Sequence, residues 1–262
     1  MTQPFVLRHD HAGVATLTLN APASLNALSD AMLDGLSRAL DDLAQDRNIR
    51  VVILRATGKA FCAGHDLKEM QAARTAPDSG AAYFADLFAR CAAVMQAITA
   101  LPQPVIAQVH AIAAAAGCQL VASCDMVVAA EEARFGVNGV NIGLFCSTPM
   151  VALTRKVPAS VAFEMLTTGT FLDAPRAYQV GLVNHVVPNE KLEEATRSLA
   201  ETVAAKLTAA VKIGKAAFYD QIGLPLDQAY AHAGAVMVEN MLWRDTEEGI
   251  AAFLEKRKPD WS

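Results

Sequence analysis

The pattern of apolar and polar residues in the first third of the chain predicts strands and helices in alternation. Alternating residues up to Arg8, a turn at residues 10–13 and renewed alternation through Leu19 predict a β-hairpin. Apolar residues at helical spacing after Ser29 predict an amphipathic helix that begins at this serine. The continuous apolar run from Val51 is typical of a strand buried on both faces.

The pattern becomes helical towards the end of the chain. A long helix is predicted over residues 81–100, a strand over "PVIAQVH", a short helix after Gly117 and another strand at "DMVVAA". From Asn189 the pattern is helical almost to the last residue, and no low-complexity linker or internal repeat interrupts the chain. These segments predict an α/β core followed by a helical C-terminal region.

Composition narrows the class of protein. The chain has 262 residues, of which 53% are hydrophobic and 19% charged, as in a soluble α/β protein. Its net charge of −5 argues against nucleic acid or an anionic membrane as the main partner. Its first residues lack a targeting signal and its longest apolar runs are broken early, so we expect a soluble, cytoplasmic protein. The five cysteines form no C-x-x-C pair or His/Cys cluster, so we expect no metal site and no disulfide.

Two loops of similar form are candidates for chemistry. "FCAGHDL" follows the strand at Val51, and "AAAAGCQL" follows the strand at Val105. Each places small residues between a buried strand and the start of a helix, where backbone N–H groups lack intrahelical partners and can point at a ligand oxygen. On neighbouring strands the two loops could bind one oxygen between them, as an oxyanion hole does. The alternative is that they are tight loops packed for close approach.

These segments resemble the crotonase (enoyl-CoA hydratase/isomerase) superfamily. "GKAFCAGHDLKEM" is similar to its A-F-x-A-G-x-D-L loop, and "PVIAQVHAIAAAAGCQLVASCDMVVAA" is similar to its second block, which contains G-G-G-x-E. "SLNALS" and "EGIAAFLEKRKPDW" match its first and last motifs, so the resemblance covers essentially the whole chain in order. The run "GVNIGLFCSTP" resembles the group called enoyl-CoA hydratase domain-containing protein 3.

The resemblance implies a fold, a ligand and a site. Residues 1–195 would form a spiral of ββα units that binds acyl-CoA, and residues 196–262 a helical region that assembles trimers or hexamers. The backbone N–H groups of His65 and Ala116 would hold the thioester carbonyl. Coenzyme A would enter as part of the substrate, with no other cofactor. The positions implied along the substrate path are Ala23, Ser24, Ala27, Ala63, Asp66, Leu67, Gly117 and Cys146. Ala23 stands where the family usually has a lysine, so one phosphate contact is missing.

The family reaction is hydration of 2-enoyl-CoA, which uses two glutamates, and the chain lacks both. Gln119 and Gly139 stand at those two positions. Two carboxylates are needed because water loses a proton as it attacks one carbon while another proton reaches its neighbour. Gln119 can hold water by hydrogen bonds but cannot accept its proton near neutral pH. We therefore expect a thioester-binding site that is poorly equipped for hydration.

Several alternatives remain open on the sequence. The chain could be a crotonase with another reaction, such as an isomerase, decarboxylase or thioesterase, or a non-catalytic acyl-CoA-binding protein. Cys146 could be a nucleophile if its thiolate were stabilised, or a buried apolar cysteine. His110 could reach the site or be a structural histidine, and Asp125 is interpreted as a structural carboxylate in the turn before its strand.

Overall fold

The structure, a computed structural model, describes residues 4–261 and is built on two β-sheets. The larger sheet has six strands in the order β1-β2-β3-β5-β7-β10, and the smaller has four in the order β4-β6-β8-β9. The strands are β1 Val6–His11, β2 Val14–Leu19, β3 Val51–Ala56, β4 Ala60–Cys62, β5 Val105–Val109, β6 Ile112–Ala114, β7 Met126–Ala130, β8 Arg134–Gly136, β9 Leu172–Asp173 and β10 His185–Val187.

Eleven α-helices surround these sheets in the described residues. They are α1 Asp30–Gln45, α2 Leu67–Ala73, α3 Ala81–Ala100, α4 Ala116–Ser123, α5 Pro149–Leu153, α6 Ala159–Thr168, α7 Ala174–Gln179, α8 Leu192–Ala204, α9 Thr208–Gln221, α10 Leu226–Met241 and α11 Arg244–Leu254. The predicted cap of α1 is confirmed, because the Ser29 hydroxyl accepts a hydrogen bond from the Met32 N–H at 3.3 Å. The hairpin is also confirmed, but its turn is shorter than predicted. Both of its central residues, Ala12 and Gly13, have positive φ (49° and 79°), as a two-residue hairpin turn requires.

The chain passes repeatedly from one sheet to the other. Strands β3, β5 and β7 lie parallel in the large sheet, and each is followed directly by a strand of the small sheet, namely β4, β6 or β8. A helical segment then returns the chain, which produces successive ββα units. The predicted α/β fold is therefore confirmed. Strands β4 and β6 fall within segments predicted as loops, because three residues are too few to show a period of two.

Helix α8 covers one face of the large sheet. Its buried residues Leu192, Ala200 and Ala204 pack in a cluster with Val51 and Ile106 of the sheet. The predicted boundary between residues 195 and 196 therefore falls inside a helix that belongs to the core. The helices beyond this layer begin with α9.

A buried ion pair attaches α9 to the core. The Lys215 ammonium group donates hydrogen bonds to Asp125 Oδ2 at 2.7 Å and to the carbonyl oxygens of Ile98 and Gln103 at 3.0 and 2.9 Å. The Tyr219 hydroxyl donates to Asp125 Oδ1 at 2.8 Å. The contacts agree with the interpretation of Asp125 as a structural carboxylate, and its partners lie on a distant helix.

Helix α3 is long and apolar enough to cross a membrane by length and composition alone, contrary to the expectation that every apolar run is too short. Leu87, Val94 and Ile98 of this helix are buried in the protein core, however. Its Arg90 forms an ion pair with Asp86 at 2.6 Å. One side of α3 is therefore packed in the protein core, and an ion pair lies on its surface.

Candidate active site

A cavity of about 290 Å³ lies between the loop after β4, the start of α4 and the segment 138–149. Most of its wall is apolar, formed by alanines, Leu67, Met70 and the ring of Phe88. No Asp, Glu, Lys or Arg lines it among residues 4–261, so a ligand there meets no ionised carboxylate or fixed cation. The lining residues are Ala63, His65, Leu67, Met70, Phe88, Ala115, Ala116, Asn138, Gly139, Ile142, Leu144, Phe145, Cys146, Ser147, Thr148 and Pro149.

The two loops that the sequence singled out meet at this cavity. Gly64 has φ = +95°, and a Cβ placed on it would lie 3.0 Å from Ala115 Cβ and 3.4 Å from the Ala116 nitrogen. The backbones of the two loops are therefore in direct contact. Within residues 4–261, the backbone N–H groups of His65 and Ala116 donate no hydrogen bond. Two free donors thus lie side by side on the wall of an apolar cavity, the arrangement that an oxyanion hole requires.

The backbone at Ala115 is strained. This residue precedes the first turn of α4 and has φ = 48° and ψ = −117°, a conformation that residues with a side chain rarely adopt. Its N–H donates to the Gly136 carbonyl at 2.7 Å, and its own carbonyl accepts from Gln119 N–H at 3.1 Å. Such conformations cost about 1–3 kcal/mol and cluster at functional sites. Here the strained residue makes the sharp change of direction from β6 into α4 that leaves the Ala116 N–H unpaired.

Gly117 has a packing role rather than a lining role. A Cβ at this position would lie 2.2 Å from the Cys62 carbonyl oxygen, so α4 packs directly against the backbone of β4. Among the described residues, Gly117 does not line the cavity. Only glycine leaves space for that carbonyl, so Gly117 allows the close approach of helix and strand, and its contact with substrate stays a prediction.

The loop at residues 22–28 lies beside the first donor loop but outside the cavity. The Leu28 N–H donates to the Gly64 carbonyl at 2.7 Å, which pairs the two loops. The predicted positions Ala23 and Ser24 are exposed and Ala27 is buried, and none of them lines the cavity. The sequence reasoning missed Asn26, whose buried amide group donates to the Thr57 and Ala60 carbonyls and so holds this loop in place.

The remaining positions of the first donor loop separate into two roles. Ala63 and Leu67 line the cavity, as the resemblance implies. Asp66 does not, because its carboxylate caps α2 by accepting from the N–H groups of Lys68 at 2.8 Å and Glu69 at 3.3 Å. The Asp66 side chain therefore shapes the loop rather than binding a ligand in the cavity.

The His65 imidazole is an uncharged group against this cavity. Its ring packs edge-to-face on Phe88 with 5.6 Å between ring centroids, and both ring nitrogens are buried without a hydrogen-bond partner. Burial lowers the pKa of the imidazole, which favours its neutral form. The backbone of His65 is thus available as a donor, and its side chain supplies no fixed charge.

Gln119 lies behind the cavity wall. It is 4% exposed on α4, its Oε1 atom is buried without a hydrogen-bond partner, and it does not line the cavity. This amide oxygen makes no hydrogen bond in the structure. Leaving a buried acceptor unpaired costs folding free energy.

Gly139 lies in the cavity wall with no room for a side chain. A Cβ there would lie 2.3 Å from the Leu144 carbonyl oxygen and 2.8 Å from Cys146 Sγ. The Gly139 N–H donates to Cys146 Sγ at 3.3 Å, which closes the segment on itself. Burial raises the pKa of Cys146, so its thiol stays protonated and the nucleophile alternative loses support.

Three residues that line the cavity were not identified from the sequence, and one residue considered there, His110, does not line it. Phe88 comes from the middle of α3, and Asn138 and Thr148 flank the segment around Gly139. Phe88 and Asn138 lie outside the motifs quoted from the sequence, and Thr148 lies within the run "GVNIGLFCSTP", which assigns it no role, so only their position in space identifies them as cavity residues. His110 hydrogen-bonds through Nε2 to the Gly58 carbonyl at 2.9 Å and does not line the cavity, in agreement with the structural alternative.

Comparison with known proteins agrees with the family resemblance. The family model for enoyl-CoA hydratase/isomerase matches residues 9–262. The crystal structure of an enoyl-CoA hydratase from Mycobacterium smegmatis is 53% identical and superposes with a TM-score of 0.95 over 99% of both chains. Enoyl-CoA hydratase domain-containing protein 3, mitochondrial, from Xenopus laevis is 45% identical over 98% of this chain and 85% of its own length. The human protein of the same name is 46% identical over 95% of this chain and 81% of its own length.

These relatives correct one expectation and confirm another. The vertebrate proteins are named mitochondrial, which contradicts the prediction of a cytoplasmic location. The resemblance to the group called enoyl-CoA hydratase domain-containing protein 3 is confirmed by the same two proteins. The family model and the structural match together show that the chain belongs to the enoyl-CoA hydratase/isomerase family.

Proposed function

We propose that this protein binds an acyl-CoA thioester and holds its carbonyl oxygen between the N–H groups of His65 and Ala116. The observation that carries the proposal is the pair of unpaired donors on the wall of one cavity. Donors fixed in place before the ligand arrives stabilise negative charge on a thioester oxygen without reorganisation. The strained backbone at Ala115 supports this role, because the same conformation leaves the Ala116 N–H without a hydrogen-bond partner.

We propose further that hydration of 2-enoyl-CoA by this protein is slow. No carboxylate lines the cavity among the described residues, and the position of the second glutamate is occupied by backbone and sulfur atoms. Each missing general acid or base typically lowers a rate by about 10²–10⁴. We therefore expect the rate on crotonyl-CoA to be at least about 10²-fold below that of a family member with both glutamates.

Binding and turnover are tested separately. Binding of butanoyl-CoA by calorimetry tests the oxyanion hole, and the loss of enoyl absorbance from crotonyl-CoA tests hydration. Ala116→Pro removes one donor at the first position of a helix, where proline is tolerated. We expect it to weaken thioester binding by about 2- to 10-fold, the effect of one hydrogen bond.

The matched control is Ala159→Pro, at the exposed first position of α6 and outside the cavity. It is expected to leave binding unchanged. Equal binding by both proline variants would show that the Ala116 N–H does not hold the thioester. Fast hydration of crotonyl-CoA by the natural protein would refute the second part of the proposal.

The assignment of residues 196–262 to self-association is also a proposal. Large apolar side chains are exposed along the last two helices and the turn between them, including Leu226 at 75% on α10, Leu242 at 81% directly after it and Phe253 at 82% on α11. An exposed apolar surface of this kind is typical of a protein interface. We expect the chain to form homotrimers or hexamers in solution. Light scattering should show a smaller particle for Phe253→Asp than for Tyr178→Asp, a control at an exposed ring on α7, and a monomeric natural protein would contradict the proposal.

A further inference from the structure

The side chain of Asn26 is completely buried and uses both ends of its amide group to hold the loop at residues 21–28. Its exposed fraction is 0%, and it lies outside the cavity. The Asn26 Nδ2 group donates hydrogen bonds to the carbonyl oxygens of Thr57 at 2.7 Å and Ala60 at 2.9 Å. Its Oδ1 atom accepts from the Ala21 N–H at 2.8 Å. One side chain therefore joins the start of the loop to the connection between β3 and β4.

The loop that Asn26 holds is bonded in turn to the first donor loop. The Leu25 carbonyl accepts a hydrogen bond from the Ala63 N–H at 3.1 Å, and the Leu28 N–H donates to the Gly64 carbonyl at 2.7 Å. These two bonds lie on either side of Asn26 in the chain. A shift of the loop would therefore move the backbone of Ala63 and Gly64 with it.

The hydrogen bond to the Gly64 carbonyl also fixes the direction of the His65 N–H. The two groups belong to one peptide unit, and a trans peptide unit is planar, with its C=O and N–H pointing in opposite directions. No peptide bond among residues 4–261 is cis. Because the Gly64 C=O points to the Leu28 N–H, the His65 N–H points to the opposite side, and His65 lines the cavity. The bond on one side of this peptide unit thus orients the donor on the other side.

The backbone and the hydrogen bonds at this position both favour asparagine. Asn26 has φ = 54°, in the left-handed region that asparagine, aspartate and glycine adopt more readily than other residues. Aspartate has nearly the same shape, but its carboxylate accepts hydrogen bonds and cannot donate to the Thr57 and Ala60 carbonyls. Glycine keeps the backbone conformation and removes the side chain altogether. These two residues therefore separate the role of the amide group from that of the backbone.

We propose that Asn26 is a positioning residue for the oxyanion hole: its amide group fixes the loop whose Leu28 N–H orients the peptide unit of the His65 donor. Asn26 acts through this loop and does not touch the ligand. The inference rests on the proposed binding of a thioester carbonyl between the two N–H groups. It gives the segment "SLNALS" a role in the strength of that binding, in addition to a role in stability.

The test isolates the contribution of the thioester carbonyl. Calorimetry compares butanoyl-CoA with S-butyl-CoA, a thioether of the same length that lacks the carbonyl oxygen. The natural protein is expected to bind the thioester about 5- to 100-fold more tightly, the effect of two net hydrogen bonds. Asn26→Asp and Asn26→Gly should each lower this ratio of dissociation constants by about 2- to 10-fold, the effect of one misplaced donor.

Gln103→Glu is the matched control, because it changes a second fully buried amide group outside the cavity. The Gln103 Nε2 group donates to the carbonyls of Leu43 at 2.8 Å and Asp46 at 3.1 Å, as the Asn26 amide does to its two carbonyls. This variant should lower the Tm as Asn26→Asp does and keep the ratio. A ratio unchanged in both Asn26 variants overturns the inference. An equal loss in Gln103→Glu also overturns it, because the ratio would then follow stability alone.

Amide hydrogen exchange in the natural protein decides the matter even if the variants do not fold. Coupling between two sites is reciprocal, so a carbonyl bound at the His65 N–H must also stabilise the contacts of Asn26. At equal ratios of ligand concentration to dissociation constant, the Ala21 N–H should exchange more slowly with butanoyl-CoA than with S-butyl-CoA. Equal exchange rates overturn the inference. Equal binding of the two ligands by the natural protein, or no binding of either, refutes the proposed function itself.

Discussion

Replacing Gly139 by alanine is expected to destabilise the protein through a steric clash alone. The added Cβ would lie 2.3 Å from the Leu144 carbonyl oxygen and 2.8 Å from Cys146 Sγ, where ordinary contacts begin at about 3.4 Å. The carbonyl is backbone and is held in a loop, since the Leu144 N–H donates to the Gly139 carbonyl at 3.0 Å. The loop must therefore open by about 1 Å, and overpacking of this kind typically costs about 1–3 kcal/mol.

Thermal unfolding measures this cost. In a chain of this size, 1 kcal/mol lowers the Tm by about 2–4 °C, so we expect a decrease of about 2–12 °C for Gly139→Ala. Gly214→Ala is the control, because a Cβ there has no atom within 4 Å and the residue lies inside α9. It should stabilise the protein by about 0.5–1 kcal/mol. In a Cys146→Ala background the Gly139→Ala penalty should largely persist, because the shorter contact is with the Leu144 carbonyl.

The close contacts around Gly139 predict that a glutamate placed at this position does not restore hydration. Gly139→Glu, alone or with Gln119→Glu, is expected to lower the Tm and to gain no hydration of crotonyl-CoA, because the carboxylate has no space beside the substrate. The assay is the loss of enoyl absorbance. A folded Gly139→Glu protein with an unchanged Tm and rapid hydration would refute the reasoning, since it would show that the segment opens without cost.

Two further predictions concern the attachment of α9. Lys215→Met leaves the Asp125 carboxylate buried without its partner, which typically costs about 3–5 kcal/mol, so urea unfolding should begin at a much lower concentration than for Lys212→Met, a control one helical turn earlier. Burial and the neighbouring Asp125 carboxylate raise the pKa of Tyr219 above its usual value near 10, so the folded protein keeps a proton that the unfolded chain loses. The free energy of unfolding should therefore fall as the pH rises above about 10, and less so in Tyr219→Phe; identical pH profiles for the two proteins would contradict this.

Local patterns were sufficient where a residue's role depends on its near neighbours in the chain. The cap at Ser29, the helix α3 and the buried strand β3 were predicted because caps, periods of 3.6 and continuous apolar runs are written within a few residues. The two donor loops were found for the same reason, since each places small residues directly before a helix. The family resemblance then supplied the roles of His65 and Ala116, which composition and spacing do not distinguish from close packing.

Only the tertiary structure decided which groups surround the cavity and what each can do there. Phe88 comes from the middle of α3 and Asn138 and Thr148 from the two ends of the segment 138–149, so no local pattern joins them. The lack of space at Gly139 arises because residues 144–146 fold back on it, and Gln119 is buried because α4 lies in the protein core, where all eight of its residues are buried. The sequence by itself determined the α/β class with its helical C-terminal region and the absence of two glutamates, but not the short strands β4 and β6. Contacts between residues distant along the chain determined which side chains line the cavity, and none of those in residues 4–261 is Asp, Glu, Lys or Arg. The same kind of contact leaves no space for a side chain at Gly139.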